Sequence, residues 1–429
     1  MGQPELYPLL NAAAANSGTM HRRQGSSRSG QQTAPKGGPA RKSTQRRRSR
    51  SSFLRHCKRF AAKHTWTLPL VILLVFLSLY AINPTESNII QRFIFLSYEL
   101  PGDDGSPQQY GKGPWDIAFV AFYTIVLAFT REFISQEMLR PLALHYGLKS
   151  RGKQARFMEQ VYTVLYCLLL GPAGLYVQSR TPVWYFDTRG MYEGFPHKTH
   201  EACFKFYYLF QAAYWLHQAL VMILGLEKRR KDFKELVGHH IVTVALIALS
   251  YRFHFTYMGI AVYVTHDISD MFLAGSKALS YIDSPMVGPF YGAFVCAWIY
   301  LRHYLNLRII FSLFTEFRTV GPYELNWETE QYKGPLSNVI TFVLLAALQS
   351  LNLFWLYCVL RNGYKYVVHN SRKDDRSEES EGEEVDPAGD GDTKTVANVD
   401  ALPRGTISGM VKATGNKIGT PPTKRGAAR

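Results

Sequence analysis

Two short clusters in this sequence carry residue types suited to moving a proton or an acyl group. One is the adjacent pair His239 and His240; the other is Asp267 and Asp270, three residues apart. On a helix, that i,i+3 spacing puts both carboxylates on one face, about 60° apart around the axis. An imidazole with a pKa near neutrality, set beside a carboxylate in an enclosed site, is an oriented general base for a weakly nucleophilic O–H or N–H. Two imidazoles also permit a second route, in which one ring attacks an acyl donor and carries the acyl group covalently. Spacing alone does not choose between the routes. The competing reading makes the histidines a helix entrance and the aspartates partners of neighbouring helices.

Counting along the chain separates these readings. The stretches around 239–251 and 257–281 are apolar and are expected to form a helical hairpin turning near His254. The histidines then lie 14 and 15 residues before the turn, and the aspartates 13 and 16 after it. At 1.5 Å per residue both pairs sit about 20 to 24 Å from the turn, at matching depth. Ionisable groups inside a membrane are costly and are usually kept for function. Four of them meeting at one depth favour catalysis over a structural role.

The elements that must position these groups are apolar runs long enough to cross a bilayer, about 20 residues each. The first is 65–82, too long and too far from the start for a cleaved leader. Others follow at 115–130, 157–177, 203–225, 239–251, 257–281, 288–314 and 338–360. The expected fold is therefore all-α, a polytopic membrane bundle of about eight helices. The seventh run is interrupted by Arg302, His303 and Arg308. Arg302 and His303 are expected to face the bundle interior, pairing there with Asp or backbone carbonyls.

Charge divides the chain of 429 residues further. Residues 1–63 hold 14 Lys/Arg against the single acid Glu5, so most of the formal net charge of +16 lies in this tail. Its Ser, Gly, Gln and Arg composition cannot bury enough apolar surface to offset ordering entropy. Residues 361–429 form a second polar tail, with ten acidic residues between Asp374 and Asp392. Between the tails lie two helices and their loops (64–149) and a larger helical domain (150–360). Basic residues accumulate in loops 131–157 and 227–236, six and five of them, against two or three in the alternate loops. The positive-inside rule then places both termini in the cytosol. Five scattered cysteines exclude a disulfide scaffold and show no metal-ligand spacing. A basic tail on a membrane protein does not make it a nucleic-acid binder. No pairing of broken helices points to a transporter with inverted repeats.

The run HHIVT, then SY, then a Gly, then HDISD with a Lys seven residues after Asp270, resembles the long signature of the ceramide synthase (longevity-assurance) family within the TLC domain. Upstream, FYYLFQAAYWLHQ and EKRRKDFKELVG look like fungal members. The resemblance covers roughly 150–360. It implies transfer of a fatty acyl group from acyl-CoA, a substrate, to the amino group of a sphingoid base such as dihydrosphingosine or phytosphingosine, in the endoplasmic reticulum, with no separate cofactor. The family's catalytic histidines map onto His239 and His240 and its acidic positions onto Asp267 and Asp270; His266 is a weaker correspondence. A CoA substrate requires a basic entrance, and Lys228, Arg229, Arg230 and Lys231 are placed for one. Acyl-chain length is not readable, and a homodimer or a small accessory membrane subunit stays open. The alternative within the resemblance is a non-catalytic TLC-type lipid sensor or membrane chaperone, which the presence of all four His and Asp groups disfavours.

Overall fold

In a computed structural model of the protein, residues 64–102, 105, 107–226 and 230–369 are described. The chain in these segments is predominantly helical. Eight long helical rods follow in order: α1 (Thr67–Ile82), α2 (Trp115–Phe133, continued through a π-helical turn at Ile134–Leu139 to Arg140–His145), α3 (Arg151–Ser179), α4 (Ala202–Ile223), α5 (Phe233–Arg252), α6 (Thr256–Tyr281), α7 (Val287–Trp298, continued through Ile299–Leu305 and Asn306–Ser312) and α8 (Pro335–His369). The only paired strands among the described residues are two-residue pieces, Gln109–Tyr110 against His200–Glu201. By length and composition, four segments are able to cross a membrane: Trp115–His145, Arg151–Ser179, Phe233–Arg252 and Pro335–Val368. Helix α1 is apolar but shorter. Leu74, Leu168, Leu169, Val339, Val343 and Leu353 are exposed around the outside. An outer belt of this kind suits lipid, since no polar face is turned outward there to meet water.

The core is built where α6 lies along α3, with α4 packed against α3 and reaching α6 through the side chains of Tyr207 and Gln211. Gly174 of α3 makes this approach feasible, because a Cβ there would collide with the Tyr207 hydroxyl and a Val264 methyl. Val264, Ile260 and Ala261 of α6 are fully buried against this seam. Helices α5 and α6 form the expected hairpin. Arg252 ends the first, Thr256 begins the second, and His254 between them adopts φ 66°. The left-handed backbone at one residue reverses the chain within three positions. Helix α8 packs against both α5 and the π-helical turn of α7.

At the His254 end, buried polar groups tie the first two helices to the rest. Lys205, fully buried in the first turn of α4, sits 2.7 Å from Asp116 of α2 and donates to the carbonyls of Ser97 and Gly111 at 2.8 and 2.7 Å. Asp116 also accepts from Tyr251 Oη at 2.7 Å and from the Gly113 amide at 2.9 Å. Lys112 donates to the carbonyls of His197 and Tyr251 and lies 3.2 Å from His254 Nδ1. Burial pushes the Lys112 amine down to about 7 and the His254 imidazole down to about 4.

Candidate active site

His239 and His240 occupy the second turn of α5, at the end of the bundle opposite His254. Both are buried, 6% and 7% exposed. Their Nδ1 atoms have no hydrogen-bond partner among the described residues. His239 Nε2 has only a distant contact, 3.5 Å to Thr243 Oγ1. Two tryptophans flank His239 edge-on, Trp215 of α4 and Trp355 of α8, with ring centroids 5.7 and 5.2 Å away.

Two cavities meet at this point. One is the more polar and opens toward the start of α5; its walls include His239, His240, Asp270, Arg302, Arg230 and Lys277 among apolar side chains. The other is almost wholly apolar and runs between α5, α6 and α8, past Leu246, Val262 and Leu345, to Phe253, Trp327 and Tyr332. From His239 to Phe253 it spans 14 residues of α5, about 21 Å. Only Trp215 and His239 line both chambers.

Neither aspartate pairs with the histidines. Asp267 is 2% exposed and accepts from the Gln211 side chain and from Tyr207 Oη at 3.4 Å, both on α4. It does not line the polar chamber. Asp270 does line it, held by Arg302 Nη2 at 2.5 Å. Depth arithmetic fixes height along a hairpin and leaves azimuth open. Here Asp267 is bonded to α4 and Asp270 to α7, so that Asp270 shares the chamber with the imidazoles without bonding to them.

Arg302 faces the interior as expected. Its Nε donates to Ser269 Oγ at 2.6 Å, Nη1 to Asn352 Oδ1 at 3.3 Å, and Nη2 to the His266 carbonyl at 3.3 Å as well as to Asp270. The guanidinium lies 4.1 Å over the Trp298 ring. It sits in the π-helical turn Ile299–Leu305, where one extra residue per turn lets adjacent residues 302 and 303 both point inward. His303 turns instead to α8, where Gln349 donates to its Nδ1 at 2.7 Å, and it lines neither chamber. His266 lines the apolar chamber beside His239. Its Nδ1–H donates to the Val262 carbonyl at 2.8 Å, which leaves Nε2 as the acceptor facing Asn352 at 3.5 Å.

Of the four basic residues expected at an entrance, Lys228 and Arg229 lie outside the described residues. Arg230 lines the polar chamber and pairs with Asp232 at 3.1 Å, whereas Lys231 does not line it. Two further cations line it as well: Arg131 of α2, not singled out from sequence, and Lys277 of α6, noted there only as the Lys of the family signature. Gln211, Tyr207, Trp215 and Asn352 were also missed. The first three lie in or beside FYYLFQAAYWLHQ, where polar groups recur within an otherwise apolar run. Among the described residues no group of three or more His, Cys, Asp or Glu is placed to hold a metal ion.

Residues 156–361 match the TLC domain family. The chain is 53% identical to the sphingosine N-acyltransferase-like protein FUM17 of Gibberella moniliformis, over 79% of this chain and 88% of that one. It is 47% identical to sphingosine N-acyltransferase lac1 of Schizosaccharomyces pombe, over the same shares. With ceramide synthase LAG1 of Saccharomyces cerevisiae the identity is 45%, over 76% of this chain and 78% of the other. The helices that carry the two histidines and the two aspartates fall inside the shared region, and the chain belongs to the fungal ceramide synthase family of TLC-domain sphingosine N-acyltransferases.

Proposed function

We propose that the protein is a ceramide synthase that moves a fatty acyl group from acyl-CoA to the amine of a sphingoid base, with His239 and His240 as the groups that do the chemistry. The observation that carries this reading is the junction of unlike chambers at His239. An acyl-CoA is itself a polar, phosphate-bearing arm joined by a thioester to an apolar chain. Laid through the junction, its chain follows the apolar chamber toward Phe253 and its CoA arm follows the polar chamber toward Arg230, Arg131 and Lys277. The thioester then lies beside the two imidazoles.

A sphingoid amine must be neutral when it attacks. An imidazole without a fixed partner is able to take the proton it releases, or to attack the thioester first and pass the acyl group on. Both routes use the same two rings, and both end with CoA leaving as thiol. Asp270 acts through Arg302, which also fixes the backbone of His266, and Asp267 holds Gln211 and Tyr207 at the back of the site. The eight rods, both termini in the cytosol, the mouth of the polar chamber on the cytosolic face and residence in the endoplasmic reticulum membrane complete the reading. It is supported by the basic residues of loops 131–157 and 227–236.

The test is direct. The purified full-length chain, supplied with acyl-CoAs from C16 to C26 and with dihydrosphingosine or phytosphingosine, is expected to form the amide and release CoA. Folded protein that forms no ceramide from any combination would overturn the proposal.

A further inference from the structure

The indole N–H groups of the two tryptophans beside His239 have different fates. Trp355 donates to Asp232 Oδ2 at 3.2 Å, the carboxylate that also holds Arg230. Trp215 lies 5.7 Å from His239 and 6.2 Å from His240 between ring centroids, yet its buried Nε1 has no acceptor among the described residues. A buried donor left without an acceptor has lost its water without gaining a partner, and such an exception calls for a reason. The position of Trp215 supplies one. With His239 it is the residue that lines both chambers.

A thioester laid through the junction puts its carbonyl there. When a nucleophile adds to the carbonyl carbon, the electron pair of the C=O bond moves onto oxygen, and a donor waiting in a water-poor site stabilises it strongly. Two other strong donors nearby are engaged: Arg302 with Ser269, Asn352, Asp270 and the His266 carbonyl, and Gln211 with Asp267 and Tyr207. Tyr263 Oη and Trp298 Nε1 are also unpartnered, but each residue lines one chamber only.

We infer that Trp215 is a catalytic residue, whose Nε1–H donates to the thioester carbonyl oxygen and binds it more tightly as it becomes an oxyanion. When that intermediate collapses, the C=O bond re-forms, the C–S bond breaks, and its electron pair leaves with the CoA sulfur. The inference rests on the ceramide synthase reading.

The test uses the full-length chain in detergent or nanodiscs, with acyl-CoA and sphingoid base as substrates. Trp215→Phe removes the N–H and keeps an aromatic ring. A second variant replaces the indole of Trp215 by benzothiophene through genetic-code expansion, exchanging N–H for sulfur at nearly unchanged volume. Both are expected to lower kcat by about 10²-fold, the scale of one lost oxyanion donor. KM for acyl-CoA should change little, because the contact is made chiefly in the transition state. If Trp215→Phe does not fold, the benzothiophene variant decides alone. Wild-type kcat in the benzothiophene variant would overturn the inference and assign Trp215 to packing. A wild-type chain that transfers no acyl group would instead sink the ceramide synthase reading, and this inference with it.

Discussion

Two clusters of buried polar groups at opposite ends of the bundle are treated in opposite ways. At the His254 end, Lys205, Asp116, Tyr251 and Lys112 form a network whose members find charged or hydrogen-bonding partners within 3.3 Å, although His254 Nε2, 3.8 Å from Glu330, also lies buried there without a hydrogen-bond partner among the described residues. At the other end, His239 Nδ1, His240 Nδ1 and Trp215 Nε1 are buried without partners among the described residues. Burial of either kind is costly, and only the first arrangement repays it within the protein. The saturated end holds the helices together; the unsaturated end keeps its hydrogen-bonding capacity for substrate. Mutations should therefore cost stability at one end and turnover at the other.

The largest effects are expected at the unsaturated end. Replacing His239 or His240 by Ala should lower kcat by about 10²- to 10⁴-fold, the range for a lost general acid or base. Abundance and thermal midpoint should stay near those of the wild type, since no hydrogen bond is broken at Nδ1. The His239→Ala, His240→Ala double variant should be hardly worse than the worse single one, because groups acting as a unit are not additive. A folded double variant that still forms ceramide at the wild-type rate would end the catalytic assignment. Asp270→Asn should also reduce kcat, but with a loss of stability, because it leaves the Arg302 guanidinium buried without its counter-charge.

At the saturated end the expected signature is reversed. Lys205→Met leaves Asp116 buried without its cation and should destabilise the fold by about 3–5 kcal/mol, the scale of breaking a buried pair from one side. Detergent-solubilised protein should show a much lower thermal midpoint, and whatever folds should retain a near-normal KM for both substrates. Removing both charges, as Lys205→Met with Asp116→Leu, should recover part of the loss. If the single variant were stable but inactive, the division between the ends would be wrong.

A smaller effect sharpens the reading of the polar chamber. Arg131→Gln combined with Lys277→Gln should raise KM for acyl-CoA by roughly tenfold, about 1.4 kcal/mol of phosphate binding, and leave KM for the sphingoid base much closer to normal. The difference should shrink as ionic strength rises. Equal shifts for both substrates would assign these cations to structure. Because Arg131 comes from α2, outside the TLC match at 156–361, a selective rise in KM for acyl-CoA in Arg131→Gln alone would show that the amino-terminal helices complete the substrate site.

How much of this was legible in the sequence depends on what physical quantity a residue pattern encodes. Apolar runs encode length, so the rods appeared close to their observed positions, and the hairpin turn at His254 followed from the break between two such runs. Residue counts encode depth, which brought His239, His240, Asp267 and Asp270 to one level. Azimuth is not encoded when the period changes. The π-helical turn at Ile299–Leu305 rotates everything after Trp298, so Arg302 reaches Asp270 while its neighbour His303 is sent to Gln349. The tie between Lys205 and Asp116 joins residues 89 positions apart, beyond the reach of any local pattern. The unpartnered indole of Trp215 is a property of packing alone.

The smallest effect tests the saturated end by titration. Lys112 and His254 face each other at 3.2 Å, with Lys205, Glu330, Lys198 and Arg252 near them and the His197 carbonyl bonded to Lys112. Burial lowers Lys112 from an ordinary 10.5 to about 7. Between those values the unfolded chain holds a proton that the folded chain has released. Unfolding therefore takes up a proton, and stability rises with pH over this window and is lost as pH falls through it. His254 and His197, both lowered to about 4, act in the same direction between 6.5 and 4. The thermal midpoint of the wild type should thus fall as pH drops from 10 to 7, and again from 6.5 to 4. Lys112→Met should flatten the upper window, and His254→Gln should reduce the lower slope while leaving the His197 contribution. These are comparisons of slopes, so they hold even where a substitution shifts the midpoint at every pH. An upper window unchanged by Lys112→Met would show that this amine keeps its proton in the fold, and that Lys112 is held in the network as a cation.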